Sequence, residues 1–235
     1  MKTIGILGGM SAASTQLYYQ RLCKLTQDQL GGLHSPELLI RSVDFAEIES
    51  YQMSDNWQAA GETLNRKARL LERGGAEILL VATNTMHKLA DEIMQGVTIP
   101  LLHIGDATAR RIKKSGLISP GLMATRFTME QDFYIDRLIH AGLHPVIPDE
   151  GDRDITHRII YEELCRNTIT EASRLAYEQI AQRLIDAGAD CLILGCTEVG
   201  MLLNSKNVSV PVFDTTHIHC ETALELALEL ALESG

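Results

Sequence analysis

The sequence predicts an α/β fold of two similar, pseudo-symmetric lobes, each a parallel sheet flanked by helices. Short apolar runs alternate with longer helical patterns through most of the 235 residues, which is typical of parallel strands covered by helices. The pattern also occurs twice: Gly75-Ala76-Glu77 precedes one apolar run, and Gly188-Ala189-Asp190 precedes another 113 residues later.

The first half of the chain alternates four predicted strands with three predicted helices. The strands are TIGILGG, ELLIRSVDF, AEILLVATNT and IPLLHI, and the helices are SAASTQLYYQRLCKLTQDQLG, NWQAAGETLNRKARLLERGG and MHKLADEIMQG. The strand runs are apolar on both faces, as expected for a sheet buried between helices. The C-terminal ETALELALELALESG is predicted to be a helix whose acidic residues form a solvated face.

The second half repeats this scheme at nearly one offset. The matching pairs are Gly5-Ile6-Leu7 with Gly121-Leu122-Met123, Tyr18-Tyr19 with Phe133-Tyr134, Thr83 with Cys196, and Pro100 with Pro211. Such regular spacing is unlike chance and indicates a gene duplication. We expect residues 1–104 plus 210–235 to form the first lobe and residues 105–209 to form the second.

Composition and charge exclude several classes of function. The net charge is −10 and no run of Lys or Arg exceeds two residues, so nucleic acid is not an expected partner. No apolar run approaches the roughly 18–20 residues of a membrane span, and MKTIGILGGMS resembles a strand more than a signal peptide. The five cysteines follow neither a disulfide nor a zinc spacing. We expect a cytoplasmic protein that binds no membrane.

No motif calls for a metal or a cofactor. The histidines near strand ends (His87, His103, His217 and His219) form no H-E-x-x-H motif, and each is expected to be a hydrogen-bonded structural residue. The first glycines fall at positions 5, 8 and 9, unlike a dinucleotide-binding G-x-G-x-x-G. The turn Gly8-Gly9-Met10-Ser11 instead suits close approach of backbone to a small ligand.

Two matching strand ends carry the residues best suited to chemistry. One ends in Thr83-Asn84-Thr85, and the other ends in Gly195-Cys196. A thiol at the start of a helix has a lowered pKa and raised reactivity, although free cysteines are also common in cores. The hydroxyls, carboxamide and N–H groups of Thr83-Asn84-Thr85 suit a carboxylate, although these residue types also cap helices.

Ligands of open α/β sheets bind beyond the carboxyl ends of the strands. We therefore expect the active site in the cleft between the two lobes, with Thr83 and Cys196 on opposite sides. The segment Thr125-Arg126-Phe127-Thr128 matches the first glycine turn and supplies two more hydroxyls. The remaining cysteines lack this context and are expected to be structural: Cys23, Cys165, Cys191 and Cys220.

Taken together, these motifs resemble those of the aspartate/glutamate racemase family, which are cofactor-independent enzymes of two α/β lobes. The resemblance runs nearly end to end, through GILGGMS, SVDFAEIE, TNTMHK, LLHIGDAT, TRFTMEQDFY, YEEL, GCTE and PVFDTTHIH. It implies a catalytic pair, Cys196 and Thr83, on either side of the substrate α-carbon, no cofactor, and a homodimer. The implied substrate contacts are Met10, Ser11, Gln52, Asn84, Thr85, Thr125, Thr128, Thr197 and Glu198.

Three departures from the family pattern bear on activity. Thr83 replaces the usual first cysteine, and an alcohol is a far weaker base than a thiolate. Cys165 stands where relatives strict for acidic substrates carry a lysine that reads the distal carboxylate. Ala12 and Ala13 replace a bulky aromatic residue and an acid.

The sequence leaves three functions open. The first is an amino-acid racemase for aspartate, glutamate or a related small amino acid such as homoserine, with Cys196 as its main base. The second is a single-cysteine decarboxylase or isomerase of the same superfamily. The third is a non-catalytic protein that binds small dicarboxylates, although such a protein would have little need for the Cys196 thiol.

Overall fold

The protein folds into two compact units. The computed structural model describes residues 1–166, 168–196 and 199–233. The first unit comprises Met1–His103 together with the chain from His219 onward, and the second comprises Ile104–Ile218.

The first unit is built on a three-stranded parallel sheet. Its strands are β1 (Ile4–Gly8), β2 (Leu38–Ser42) and β3 (Ile78–Val81), in the order β2-β1-β3. Its helices are α1 (Ala12–Leu30), α2 (Phe45–Met53), α3 (Trp57–Arg73) and α4 (Ala90–Met94), with a 3₁₀ turn at Thr85–Leu89. Strands β1 and β3 are fully buried, and helices α3 and α4 pack their apolar residues into the same core as β3.

The second unit repeats this architecture. Its parallel strands are β4 (Pro120–Ala124), β5 (Cys191–Gly195) and β6 (Val212–Asp214), with β5 in the centre. Its helices are α5 (Ile104–Lys114), α6 (Arg126–Glu130), α7 (Asp132–His140), α8 (Glu150–Glu162) and α9 (Glu171–Asp186). Short 3₁₀ turns lie at Leu164–Arg166 and Val199–Met201, and α10 (Thr215–Glu233) leads from this unit into the first.

The internal repeat extends to single hydrogen bonds. Gly75 and Gly188 both have positive φ, at 100° and 101°, where each ends the turn after a long helix. In the first unit Glu77 N–H then donates to Thr3 O at 2.8 Å, and in the second Asp190 N–H donates to Ser119 O at 2.9 Å. The predicted α/β fold with two similar parallel sheets is confirmed.

Four local features differ from the sequence prediction. IPLLHI forms only an isolated bridge, Leu79 to Leu101, since Pro100 lacks an N–H donor and helix α5 begins at Ile104. Helix α2 was not predicted, and it begins where the Asp44 carboxylate accepts from Ala46 N–H. The helix predicted at MHKLADEIMQG is divided into a 3₁₀ turn and α4. Finally, β6 pairs with β5, so that residues 210–218 belong with the second unit and not with the first lobe as predicted.

Among the described residues, no helix combines the length and the apolar character that crossing a membrane requires.

Candidate functional site

The glycine turn after β1 requires glycine at position 9. Gly9 has φ of 92°, and a Cβ atom there would lie 2.3 Å from the Val43 carbonyl oxygen. Its N–H donates to Thr15 Oγ1 at 2.7 Å, which fixes the turn on the first turn of α1. The next two residues, Met10 and Ser11, are both buried, and the Ser11 hydroxyl caps α1 by accepting from Ser14 N–H.

The end of β3 lies beside this turn. Strands β1 and β3 are paired through Leu7 and Val81, and the Ser14 hydroxyl donates to Ala82 O at 2.8 Å. Thr83 is half-buried, whereas Asn84 and Thr85 are buried. The structure therefore brings the residues predicted at the two turns to one edge of the first sheet.

Gln52, the remaining predicted contact in the first unit, is buried in the last turn of α2. Helix α2 begins three residues after β2 ends at Ser42. Gln52 thus lies on the helix that follows the carboxyl end of β2, the remaining strand of this sheet.

A group of buried histidines lies behind the end of β3. The His87 and His103 rings are 4.4 Å apart and the His87 and His219 rings 5.8 Å apart, measured between ring centroids. His219 is fully buried, with Nε2 at 2.8 Å from Leu102 O and Nδ1 at 2.8 Å from the Tyr18 hydroxyl. Burial, and secondly the nearby His87, lowers the pKa of His219 to about 3, although the Leu102 carbonyl opposes this.

The two contacts of His219 determine its tautomer. A carbonyl oxygen can only accept, so Nε2 carries the hydrogen and Nδ1 accepts from the Tyr18 hydroxyl. His219 is therefore a neutral residue that joins α10 to α1, in agreement with the structural role expected for it.

In the second unit, Cys196 follows the central strand β5 directly and is partly exposed. Gly195 before it is packed so closely that a Cβ atom there would lie 2.7 Å from the Ala124 Cβ. Since Ala124 is the register partner of Gly195, Thr125 and Cys196 leave paired strands at the same edge of the sheet.

Among the described residues, the next helical segment after Cys196 is the three-residue 3₁₀ turn Val199–Met201, and Val199 N–H donates to the Cys196 carbonyl. The predicted contacts Thr197 and Glu198 lie outside the described residues.

Thr125 and Thr128 form the hydroxyl-bearing turn after β4. Both are buried, and their Oγ1 atoms are 3.2 Å apart. The Thr125 hydroxyl also caps the short helix α6 by accepting from Thr128 N–H. This turn corresponds to the Ser11 turn of the first unit, where a hydroxyl caps α1 in the same way.

Sequence reasoning missed His157, which supports the Thr125 turn from helix α8. Its Nδ1 accepts from the backbone N–H of Arg126 at 3.3 Å. Its ring packs against Tyr161 and Phe127, with centroid distances of 4.7 and 5.8 Å. Burial, and secondly the Arg126 charge, lowers the pKa of His157, which favours the neutral ring that can accept this hydrogen bond. The one sequence signal was its position four residues before the tyrosine of YEEL.

The remaining four cysteines differ in their burial. Cys191 and Cys220 are buried, and Cys23 and Cys165 are partly buried. Burial, and secondly the adjacent Asp190, raises the pKa of the Cys191 thiol, so it is held protonated. Within the described part of the chain, no three His, Cys, Asp or Glu side chains are grouped as ligands for a metal ion.

Comparison with known proteins places the chain in a family. The family model for Asp/Glu/hydantoin racemases matches residues 7–223. The chain belongs to the Asp/Glu/hydantoin racemase family. The resemblance seen in the sequence motifs is thereby confirmed.

Two solved structures and one curated relative are similar along nearly their whole length. A candidate Asp/Glu racemase from Yersinia pestis is 48% identical, with a TM-score of 0.91 over 97% of this chain and 100% of that one. An aspartate racemase homologue from Pyrococcus horikoshii is 35% identical, with a TM-score of 0.85 over the same shares of the two chains. The broad-specificity amino-acid racemase RacX of Bacillus subtilis is 22% identical over 91% of this chain and 92% of its own.

Proposed function

We propose that this protein racemises a small amino acid without a cofactor, with Cys196 as the base at the α-carbon. The observation that carries the proposal is a partly exposed thiol directly after the central buried strand of a racemase-family fold. The buried hydroxyls of Thr125 and Thr128 follow the neighbouring strand. They are suited to donate hydrogen bonds to a bound amino acid.

The reaction begins with the Cys196 thiolate, which takes the α-proton and leaves a carbanion stabilised by its own carboxylate. Donors held in place around that carboxylate favour the charge that develops on it. Asn84, Thr85 and Thr197 are proposed for this role. The Thr83 hydroxyl then relays a proton from water to the opposite face, taking up one proton as it gives one so that no alkoxide forms, and the Cys196 thiol returns its proton to solvent.

The alcohol at Thr83 makes removal of the α-proton unequal for the two enantiomers. A thiolate is accessible near neutral pH, whereas a threonine alkoxide is not. Proton removal should therefore be efficient only from the enantiomer whose α-hydrogen faces Cys196. We propose an enzyme that exchanges the α-proton of one enantiomer with solvent much faster than that of the other, whereas kcat/KM for racemisation is the same from both because enantiomers have equal free energy.

The proposed substrate class rests on the side chain at position 165. The partly buried Cys165 has no charge to bind a distal carboxylate, in contrast to the lysine of acid-specific relatives. The proposed substrates are therefore aspartate, glutamate and neutral small amino acids such as homoserine. The broad specificity that RacX carries in its name supports this range. We further propose that the enzyme works in the cytoplasm as a homodimer and requires no pyridoxal phosphate.

Chiral chromatography on a panel of L- and D-amino acids tests the proposal. The wild-type protein should racemise at least one substrate, Cys196→Ser should lose turnover while still binding that substrate, and Thr83→Cys should accelerate racemisation from both enantiomers. Binding without conversion of any amino acid by the wild type would contradict a racemase and favour a binding protein.

A single thiol at the two strand ends also suits a decarboxylase, which must protonate an enediolate on one face only. The panel should therefore include substituted malonates, with release of carbon dioxide as the readout. Decarboxylation without racemisation would replace the proposed activity by this one.

A further inference from the structure

His87 joins the group of buried histidines to the end of β3. Its side chain is 2% exposed, and Nδ1 lies 2.8 Å from the carbonyl oxygen of Thr83. Because a carbonyl only accepts, Nδ1 carries the hydrogen and donates it.

This hydrogen bond replaces a backbone interaction. In an α-helix the N–H of residue 87 would donate to the carbonyl of residue 83. Here the segment is a 3₁₀ turn, and His87 N–H donates to Asn84 O instead, at 3.1 Å. The Thr83 carbonyl oxygen therefore accepts a hydrogen bond from the His87 imidazole in place of one from that backbone N–H.

The hydrogen bond from His87 fixes the orientation of the whole Thr83–Asn84 peptide unit. The Thr83 C=O and the Asn84 N–H belong to one planar peptide unit, in which they point in opposite directions. By holding the carbonyl, His87 also sets the direction of the Asn84 N–H. The same peptide carries the backbone of Thr83 and so limits where its hydroxyl can lie.

We propose that His87 is a positioning residue for the reaction: its Nδ1–H bond orients the Thr83–Asn84 peptide so that the Asn84 N–H donates to the substrate carboxylate. This inference rests on the proposed function. It gives the buried histidines a task in catalysis, through the backbone of the residues at the end of β3.

The neighbouring rings keep the His87 ring in place. His103 packs against it at 4.4 Å, and His219 lies at 5.8 Å. His219 is itself held at both nitrogens, by Leu102 O and the Tyr18 hydroxyl. Rotation of the His87 ring would therefore require movement of side chains that are tied to α1 and α10.

Three substitutions distinguish the effect of the hydrogen-bond donor of His87 from the effect of its ring. His87→Asn keeps a nitrogen donor on Cγ, which is where Nδ1 is attached. His87→Gln moves the donor one bond further out, and His87→Phe keeps a ring without a donor. His140→Phe is the matched control, because the exposed His140 makes the same contact to a carbonyl four residues earlier, Asp136 O.

Steady-state kinetics on the best substrate of the panel should show a graded effect. Loss of a donor to a developing oxyanion costs roughly 10²–10³ in kcat, and misorienting one should cost less. We expect His87→Phe and His87→Gln to lower kcat about tenfold and to raise KM several-fold. His87→Asn should stay within about threefold of the wild type, and His140→Phe should leave both constants unchanged. Equal constants for folded His87→Phe and wild type would overturn the proposal, as would equal losses in the Asn and Phe variants.

Long-range ¹⁵N–¹H correlation spectra test the geometry without relying on catalysis. The proposal predicts hydrogen on Nδ1 of His87 and on Nε2 of His219, and correlations from the ring to the backbone assign both residues in the wild-type protein. A His87 ring with hydrogen on Nε2 alone would overturn the proposal even if every His87 variant failed to fold. Wild-type turnover is measured in the same kinetic series, so absence of all turnover marks failure of the proposed function, whereas turnover that is insensitive to His87 marks failure of this inference alone.

Discussion

Acid should destabilise the first unit through His219. This residue is fully buried, and its pKa is lowered from 6.5 to about 3. Between these two values the unfolded chain binds a proton that the folded chain does not. Stability is therefore greatest above about pH 6.5 and is lost progressively as the pH falls toward about 3.

The size of the effect follows from proton linkage. Each pH unit within this window costs up to about 1.4 kcal/mol for one proton. Lowering the pH from about 7.5 to about 5 should thus remove roughly 2 kcal/mol of unfolding free energy through His219 alone. This is a large part of the typical stability of a domain.

Urea unfolding can measure this in the relevant unit. The chain has one tryptophan, Trp57, and it lies in the same unit as His219, so its fluorescence reports the unfolding of that unit. His219→Gln cannot titrate but keeps an amide donor for Leu102 O. The variant should lose about 2 kcal/mol less than the wild type over the same pH range.

The exposed His34 provides the control: His34→Gln should retain the pH dependence of the wild-type unfolding free energy. If His219→Gln shows the wild-type dependence as well, His219 is not held neutral by burial and the reasoning is wrong.

Two further predictions concern single side chains. Gly9→Ala should lower the free energy of unfolding by more than about 2 kcal/mol, because a Cβ there would lie 2.3 Å from a backbone carbonyl oxygen. Gly116→Ala, where φ is also positive but the space is open, should lower it by about 1 kcal/mol. Urea unfolding of both variants, followed by far-UV circular dichroism, checks this, and equal losses would contradict it. Arg183→Met should lower the free energy of unfolding by about 1–2 kcal/mol. It leaves the buried Asp152 carboxylate without the bidentate hydrogen bonds, at 2.7 and 2.6 Å, that the Arg183 guanidinium donates to it. Thermal unfolding should show almost no loss for Arg158→Met, whose exposed ion pair spans 3.8 Å, and a similar loss in both variants would count against the argument.

The strands could be predicted from sequence because their burial leaves a direct pattern. The runs at β1, β3, β4 and β5 are apolar throughout and are fully buried. Helix α2 was missed because only Ile48 and Gln52 of its nine residues are buried, so its apolar periodicity is weak. The isolated bridge at Leu101 resembles a strand in composition, yet Pro100 and the start of α5 prevent its extension.

The candidate site could be proposed from sequence because its residues follow strand ends. Thr83 and Cys196 were selected as candidates because each ends a buried run and the two runs match. The partners of His157 and His219 were not predictable, because they are distant in sequence. His157 accepts from a backbone N–H 31 residues away, and Tyr18 and His219 are separated by 201 positions. Local sequence patterns do not reveal hydrogen bonds between residues so far apart in the chain.

The central claim is that Cys196 removes the α-proton of an amino acid. Proton NMR in D₂O, with purified protein and each enantiomer of the panel, tests it most directly by following the loss of the α-proton signal. We expect exchange from one enantiomer of the substrate, abolished by Cys196→Ser. Exchange that persists in Cys196→Ser, or no exchange with any amino acid, would contradict the claim.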